Sequence, residues 1–138
     1  MPMSSYDYAC LRLVPRVERE EFLNVGLILF CRTRRFLDAR IELDPMRLRA
    51  LGPGITEEEI AQIRTHLDLI PRICAGEGPI GALGQAEAFH WLVAPHNTMI
   101  QASPVHSGLC DDPAVELARL AGVMGIGSGR DNSEDRRQ

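Results

Sequence analysis

Four side chains that commonly bind metals lie close together in the second half of the sequence. They are His90, His96, His106 and Cys110. Imidazole and thiolate are the usual zinc ligands, and these four would meet if the last two strands fold together. Their spacing matches no standard zinc pattern, and His96 falls in a predicted turn. We therefore expect no metal and no cofactor. If a metal does bind, the candidate ligands are His90, His106 and Cys110.

The same region offers residues for nucleophilic catalysis. Ser103 and His106 are three residues apart and could act as nucleophile and base, and Cys110 could replace the serine. The chain has no GxSxG elbow, and no oxyanion site can be recognised. A small hydrolase or ligand-binding enzyme using His106 with Ser103 or Cys110 is one hypothesis. The other is a polar loop in which His106 bonds backbone groups.

Arg12 is the first candidate for binding. It shares one face of a predicted strand with Tyr6 and Tyr8, and a charge there needs a carboxylate or a group of carbonyls. Glu20 or Glu21 could supply that carboxylate from the following connector. A structural ion pair is one interpretation, and an anion site is the other.

Asn24 and Gly26 interrupt an otherwise apolar run from Phe22 to Phe30. A run this apolar is typical of a central, covered strand, where a buried Asn needs hydrogen-bond partners. A glycine in such a strand marks a bulge or a close backbone approach. Asn24 either bonds the distorted backbone or forms the polar floor of a pocket. The predicted binding residues are thus Arg12, Glu21, Asn24 and Gly26.

Alternating apolar residues and turn signals predict an α+β fold of order β-β-β-α-α-β-β-α. The expected architecture is a two-layer sandwich, in which a five-stranded, mainly antiparallel sheet carries helices on one face. Thr56 and Glu59 form a capping box that starts the long helix. The predicted strands are 6–14, 22–32, 36–43, 89–93 and 99–103, and the helices begin near residues 45, 56 and 113.

Length and composition limit the function classes. The 138 residues, 45% of them apolar, predict one domain over residues 1–124 and a disordered, glycine-rich and charged tail over 125–138. All 15 basic residues are arginine, which excludes Schiff-base chemistry on a lysine of this chain. The net charge of −4 argues against nucleic acid as the main partner. A nucleic-acid module would have to use Arg16, Arg19, Arg32, Arg34 and Arg35, and its binding would depend strongly on salt.

The N-terminus has no signal-peptide pattern, and no apolar run is long enough to span a bilayer. We therefore expect a cytoplasmic protein. Its four cysteines form no CxxC pair, and we expect them to be reduced.

Several motifs together resemble a bacterial family known as domain of unknown function 3037. They are YDYACLRLVPRVEREEFLNVGLILFCR, FLDARIEL, RICAG, GPIG, FHWLVAP and IQASPVHSGLCDDP. The resemblance covers residues 6–120 and implies a small bacterial domain without an assigned activity. Some members are encoded beside HipA-like kinases, which implies such a kinase as a protein partner. We therefore expect a non-enzymatic protein-interaction or regulatory module, which binds through an uncovered sheet face or an edge strand and can form a homodimer.

Overall fold

The computed structural model describes residues 2–95 and 99–126. Three strands come first and are followed by a run of helices, two short strands and a last helix. The strands are β1 (Ser4–Leu13), β2 (Leu23–Cys31), β3 (Phe36–Ile41), β4 (Ile100–Ala102) and β5 (His106–Cys110). The helices are α1 (Pro45–Leu51), α2 (Glu57–Cys74), α3 (Gly78–Gly81), α4 (Gln85–Val93) and α5 (Pro113–Val123), and a 3₁₀ turn spans Val17–Arg19.

The five strands form one antiparallel sheet with β1 at its centre. β2 pairs with one edge of β1, and β3 pairs with the far side of β2. β4 and β5 lie end to end along the other edge of β1, opposite residues 11–13 and 4–8 respectively. The predicted α+β class, the five antiparallel strands and the overall order are confirmed.

Ser103 joins β4 to β5 on the edge of β1. Its backbone N–H donates to the carbonyl of Cys10 (2.8 Å), and its hydroxyl oxygen accepts the Cys10 N–H (2.9 Å). Between the end of β4 and the start of β5, the Ser103 hydroxyl therefore accepts the hydrogen bond that a backbone carbonyl would accept in a continuous strand. This substitution keeps the middle of β1 hydrogen-bonded along both edges.

Both faces of the sheet carry a core, so the prediction that helices cover only one face is wrong. The first core packs α1, α2 and α4 against side chains such as Leu11, Ile28 and Phe30. The second packs α5 against the opposite face, where Leu27 and Leu29 of β2 are fully buried. Because β2 is apolar on both sides, it needs cover on both sides.

A partly buried hydrogen bond links α5 to β1. The Tyr6 hydroxyl donates to Oε2 of Glu116 (2.6 Å), and Arg119 also contacts that oxygen (2.7 Å). Burial and the neighbouring carboxylate raise the pKa of Tyr6 to about 12. The hydrogen bonds from Arg119 and Tyr6 lower the pKa of Glu116, although its partial burial opposes them.

Two segments differ from the sequence-based expectation. Residues 89–93, predicted as a strand, belong to helix α4, and the later strands lie at 100–102 and 106–110. Ile126 is only 3% exposed and packs in the second core, so the ordered chain continues past residue 124. The rest of the predicted tail, residues 127–138, lies outside the described residues. Within the described ranges, no helix combines the length and apolarity needed to cross a membrane.

Candidate functional site

The three candidate catalytic residues are not brought together. His106 is exposed at the start of β5, where its ring lies 5.3 Å from that of Tyr8. Cys110 is buried at the other end of the same strand, roughly 13 Å away at the usual strand rise. Burial raises the pKa of the Cys110 thiol, which disfavours the nucleophilic thiolate.

The Ser103 hydroxyl already makes two hydrogen bonds to the backbone. Besides accepting the Cys10 N–H, it donates to the carbonyl of Pro104 (2.8 Å), and the residue is 5% exposed. In the part of the chain that the structure describes, Ser103 makes no hydrogen bond to His106. A serine used this way is neither exposed nor aligned with a base, as acyl transfer requires.

The candidate metal ligands are separated in the same way. His90 is exposed on α4, which belongs to the core opposite that of Cys110. His96 lies outside the described residues. Among residues 2–95 and 99–126, no group of three or more His, Cys, Asp or Glu side chains could hold a metal ion.

Arg12 and Glu21 do not form the expected ion pair. Glu21 pairs with Arg19 instead, with its Oε1 3.0 Å from the Arg19 Nε. The Arg12 guanidinium lies over the ring of Phe22, 4.4 Å from its centroid, and its buried Nε has no hydrogen-bond partner. Phe22 is 45% exposed, so this cation–π pair faces outward at the sheet surface.

Asn24 and Gly26 lie beside a β-bulge. The register between β1 and β2 skips Val25, because Leu11 pairs with Gly26 while Arg12 pairs with Asn24. Asn24 is exposed there, so the expectation of a buried amide is wrong. A Cβ on Gly26 would stand 2.5 Å from the carbonyl oxygen of Arg40, so only glycine fits. Among the cavities described for residues 2–95 and 99–126, none is lined by any of the four predicted binding residues.

A different feature stands out on the first-core side: three cavities follow helix α2 along β4. The first, of about 430 Å³, lies between Pro15 and the Gly52–Gly54 turn and reaches Glu59 and Met99. The second, of about 270 Å³, shares Glu59 and Met99 with the first. The third, of about 80 Å³, shares His66 and Ile100 with the second. Neighbouring cavities share lining residues, so the three lie in a row along α2, and we call them together the α2 groove.

The third cavity is an apolar recess at the α4 end of the α2 groove. Leu11 of β1 and Ile70 of α2 line it, and both are buried in the core. Leu69 and Trp91 also line it, yet they are 43% and 39% exposed. Two large apolar side chains at the mouth of an apolar recess are typical of a site that receives an apolar group from a partner.

The other end of the α2 groove is polar. Glu18 and Glu59 contribute carboxylates, and Arg16 contributes the guanidinium. The Arg16 Nη1 is 3.8 Å from Oε2 of Glu18, at the outer limit of an ion pair, and both side chains are mainly exposed. The Glu59 carboxylate also accepts the Thr56 N–H (2.9 Å) in the capping box, which fixes its position. This end therefore carries one negative charge more than positive.

Sequence reasoning missed the α2 groove because its parts come from four separate segments. One signal was available: Leu69 is a large apolar residue outside the buried stripe of α2. That stripe consists of Ile60, Ile63, Leu67, Ile70 and Cys74. Trp91 gave no such signal, because it was assigned to a strand.

The model of a family described as "Protein of unknown function (DUF3037)" matches residues 8–124. Neither the curated proteins nor the solved structures contain a significant match to this chain.

Proposed function

We propose that this chain, which belongs to the family of proteins of unknown function DUF3037, is a non-enzymatic protein-interaction or regulatory module. The observation that supports this proposal is the α2 groove, with an apolar recess at one end and the carboxylates of Glu18 and Glu59 at the other. A groove of this kind suits a peptide segment better than a small metabolite, because it is long and its polar groups do not converge.

The chemistry of the α2 groove defines the partner segment. The recess of about 80 Å³ is smaller than the ~150 Å³ cavity that holds benzene in an engineered protein, so it suits one aliphatic side chain. Glu18 and Glu59 favour a basic residue at the other end. We therefore propose a partner with an aliphatic anchor and an Arg or Lys further along the segment. A HipA-like kinase is the partner to test first, and we place the interaction in the cytoplasm.

The competing hypotheses have less support. A hydrolase needs Ser103 or Cys110 as a nucleophile beside His106, but the Ser103 hydroxyl bonds backbone groups and Cys110 is buried at the far end of β5. Two of the five arginines that a nucleic-acid module would use, Arg16 and Arg19, each lie beside a glutamate.

Selection from a displayed peptide library on the purified protein tests the proposal. The selected peptides should share an aliphatic residue and a basic residue at a fixed spacing. Leu69→Glu should weaken their binding about tenfold or more, because it places a charge at the mouth of an apolar recess. Val123→Glu is the matched control: it is also a helical apolar residue, it is 74% exposed, and it lies outside the groove.

The same pair of variants should be compared for binding to a purified HipA-like kinase by calorimetry. Peptides without the shared pattern, or peptides that bind Leu69→Glu as tightly as the wild type, would contradict the groove as the binding site. If the selected peptides bind but the kinase does not, only the HipA-like kinase is excluded as a partner.

A further inference from the structure

The two outer edges of the sheet differ in how they are protected. On β3, the Asp38 carboxylate accepts the N–H of Ala39 (2.8 Å), and Arg40 follows. A side chain that occupies an edge N–H, with charges beside it, keeps other strands from pairing. β3 is therefore protected against pairing with a further strand.

β5, at the opposite edge, has none of these protections. Among the described residues it pairs only with β1, in a continuous register without a bulge. Its sequence, HSGLC, contains neither a formally charged residue nor proline. Its outer edge thus presents backbone donors and acceptors to a further strand.

Exposed apolar side chains flank this edge. Leu109 is 63% exposed and pairs with Ser5. Met3, which immediately precedes β1, is 55% exposed. Among the described residues, the helices of the first core pack over β2, β3, β4 and the other half of β1, and neither Leu109 nor Met3 belongs to either core.

The distribution of charge identifies the strand that fits there. Two copies of β5 can pair without opposing like charges, although each chain carries a net charge of −4. In an antiparallel pair centred on Gly108, the Asp111–Asp112 segments of the two copies lie at opposite ends of the ladder. A parallel pair would place them side by side and would be repelled.

We propose that β5 pairs antiparallel with β5 of a second copy of this chain, around a two-fold axis at Gly108. Such an interface is isologous, and it joins the two sheets into one continuous sheet. Ser107 of each copy then lies opposite Leu109 of the other. The interface is separate from the α2 groove, which lies along α2 and β4.

Sedimentation velocity on the full chain tests this proposal. We expect the mass to rise from 15.3 kDa toward twice that value as the concentration increases through the micromolar range. Leu109→Lys should raise the dissociation constant about tenfold or more, because a charge on an edge strand blocks pairing. Val123→Lys, a control on α5, should leave the dissociation constant unchanged.

Three results would overturn the proposal. They are a wild-type chain that stays monomeric, a dimer that Leu109→Lys leaves intact, and an equal loss of dimer in Val123→Lys. Peptide binding should also be measured on Leu109→Lys, because it tests the two proposals separately. A monomeric variant that still binds peptide would show that the α2 groove functions without the dimer.

Discussion

Gly26→Ala should destabilise the fold strongly, because the new methyl group meets backbone. The added Cβ would lie 2.5 Å from the Arg40 carbonyl oxygen and 2.8 Å from Cδ1 of Ile41. A side chain can rotate away, but a carbonyl inside a ladder cannot. β2 and β3 must therefore move apart by at least 0.5 Å before the first of these contacts reaches 3.0 Å.

That movement also affects the neighbouring hydrogen bond. The Glu42 N–H donates to the Val25 carbonyl at 2.8 Å, and an extra 0.5 Å would take this bond past the ordinary limit of about 3.2 Å. Overpacking costs about 1–3 kcal/mol, and a weakened hydrogen bond costs about 1 kcal/mol more. We expect a loss of about 3 kcal/mol from a stability of about 5–15 kcal/mol.

Urea unfolding followed by circular dichroism measures this loss. The midpoint should fall by about 1–2 M, and the thermal midpoint by about 10 °C. Gly122→Ala is the control, because Gly122 lies in α5 with nothing within 4 Å of an added Cβ. In a helix this substitution should stabilise by about 0.5–1 kcal/mol. Equal midpoints for Gly26→Ala and the wild type would refute the close-approach argument.

Three further predictions follow from buried groups. Arg12→Met should leave the free energy of unfolding unchanged or raise it by about 1 kcal/mol, because methionine keeps the contact with Phe22 and removes an unpartnered buried Nε. A clear loss of stability in urea unfolding would contradict this. A thiol reagent at neutral pH should label only Cys10 in the native protein, since the other three cysteines are buried and the pKa of Cys74 is raised to about 12. If the folded Cys10→Ser variant were still labelled, this prediction would be wrong. The raised pKa of Tyr6 should give stability that is complete below about pH 10 and lost as the pH rises toward 12. Urea midpoints measured across this range should fall in the wild type and change less in Tyr6→Phe.

The strands at the start of the chain were predictable because their patterns are strong. The alternation in β3 and the two-sided apolar run in β2 placed both strands correctly. The same run in β2 also required a second covering layer, a consequence that the one-faced prediction overlooked. α5 supplies that layer with its own buried stripe, Leu117 and Ala121.

Residues 89–93 show where periodicity fails. The stretch FHWLV is short and apolar, and such a run fits a buried strand and a helix equally well. The residues before it, Gln85–Ala88, favour a helix, and α4 begins with them after Gly84 at φ 104°. The boundary placed at residue 89 separated the apolar stretch from the residues that start its helix.

Partners in space were the least predictable part of the site. Glu21 was available to Arg12, but Arg19 lies two residues away in sequence and pairs with it. The α2 groove needs side chains from β1, α2, α4 and β4, whose adjacency depends on the whole topology. Local patterns carry no information about such adjacency.

The way β1 is paired sets an order for folding. β2 meets β1 across a short connection, with Leu13 opposite Leu23, whereas Ser103 reaches Cys10 across 93 residues. Closing the longer loop costs about 2 kcal/mol more in chain entropy. During synthesis the edge of β1 that later pairs with β4 and β5 stays open until the last part of the chain has emerged, which is when unpaired strand edges favour misassembly. The meander of β1, β2 and β3 therefore forms early, and residues 99–126 complete the fold by closing the central strand and covering the second core.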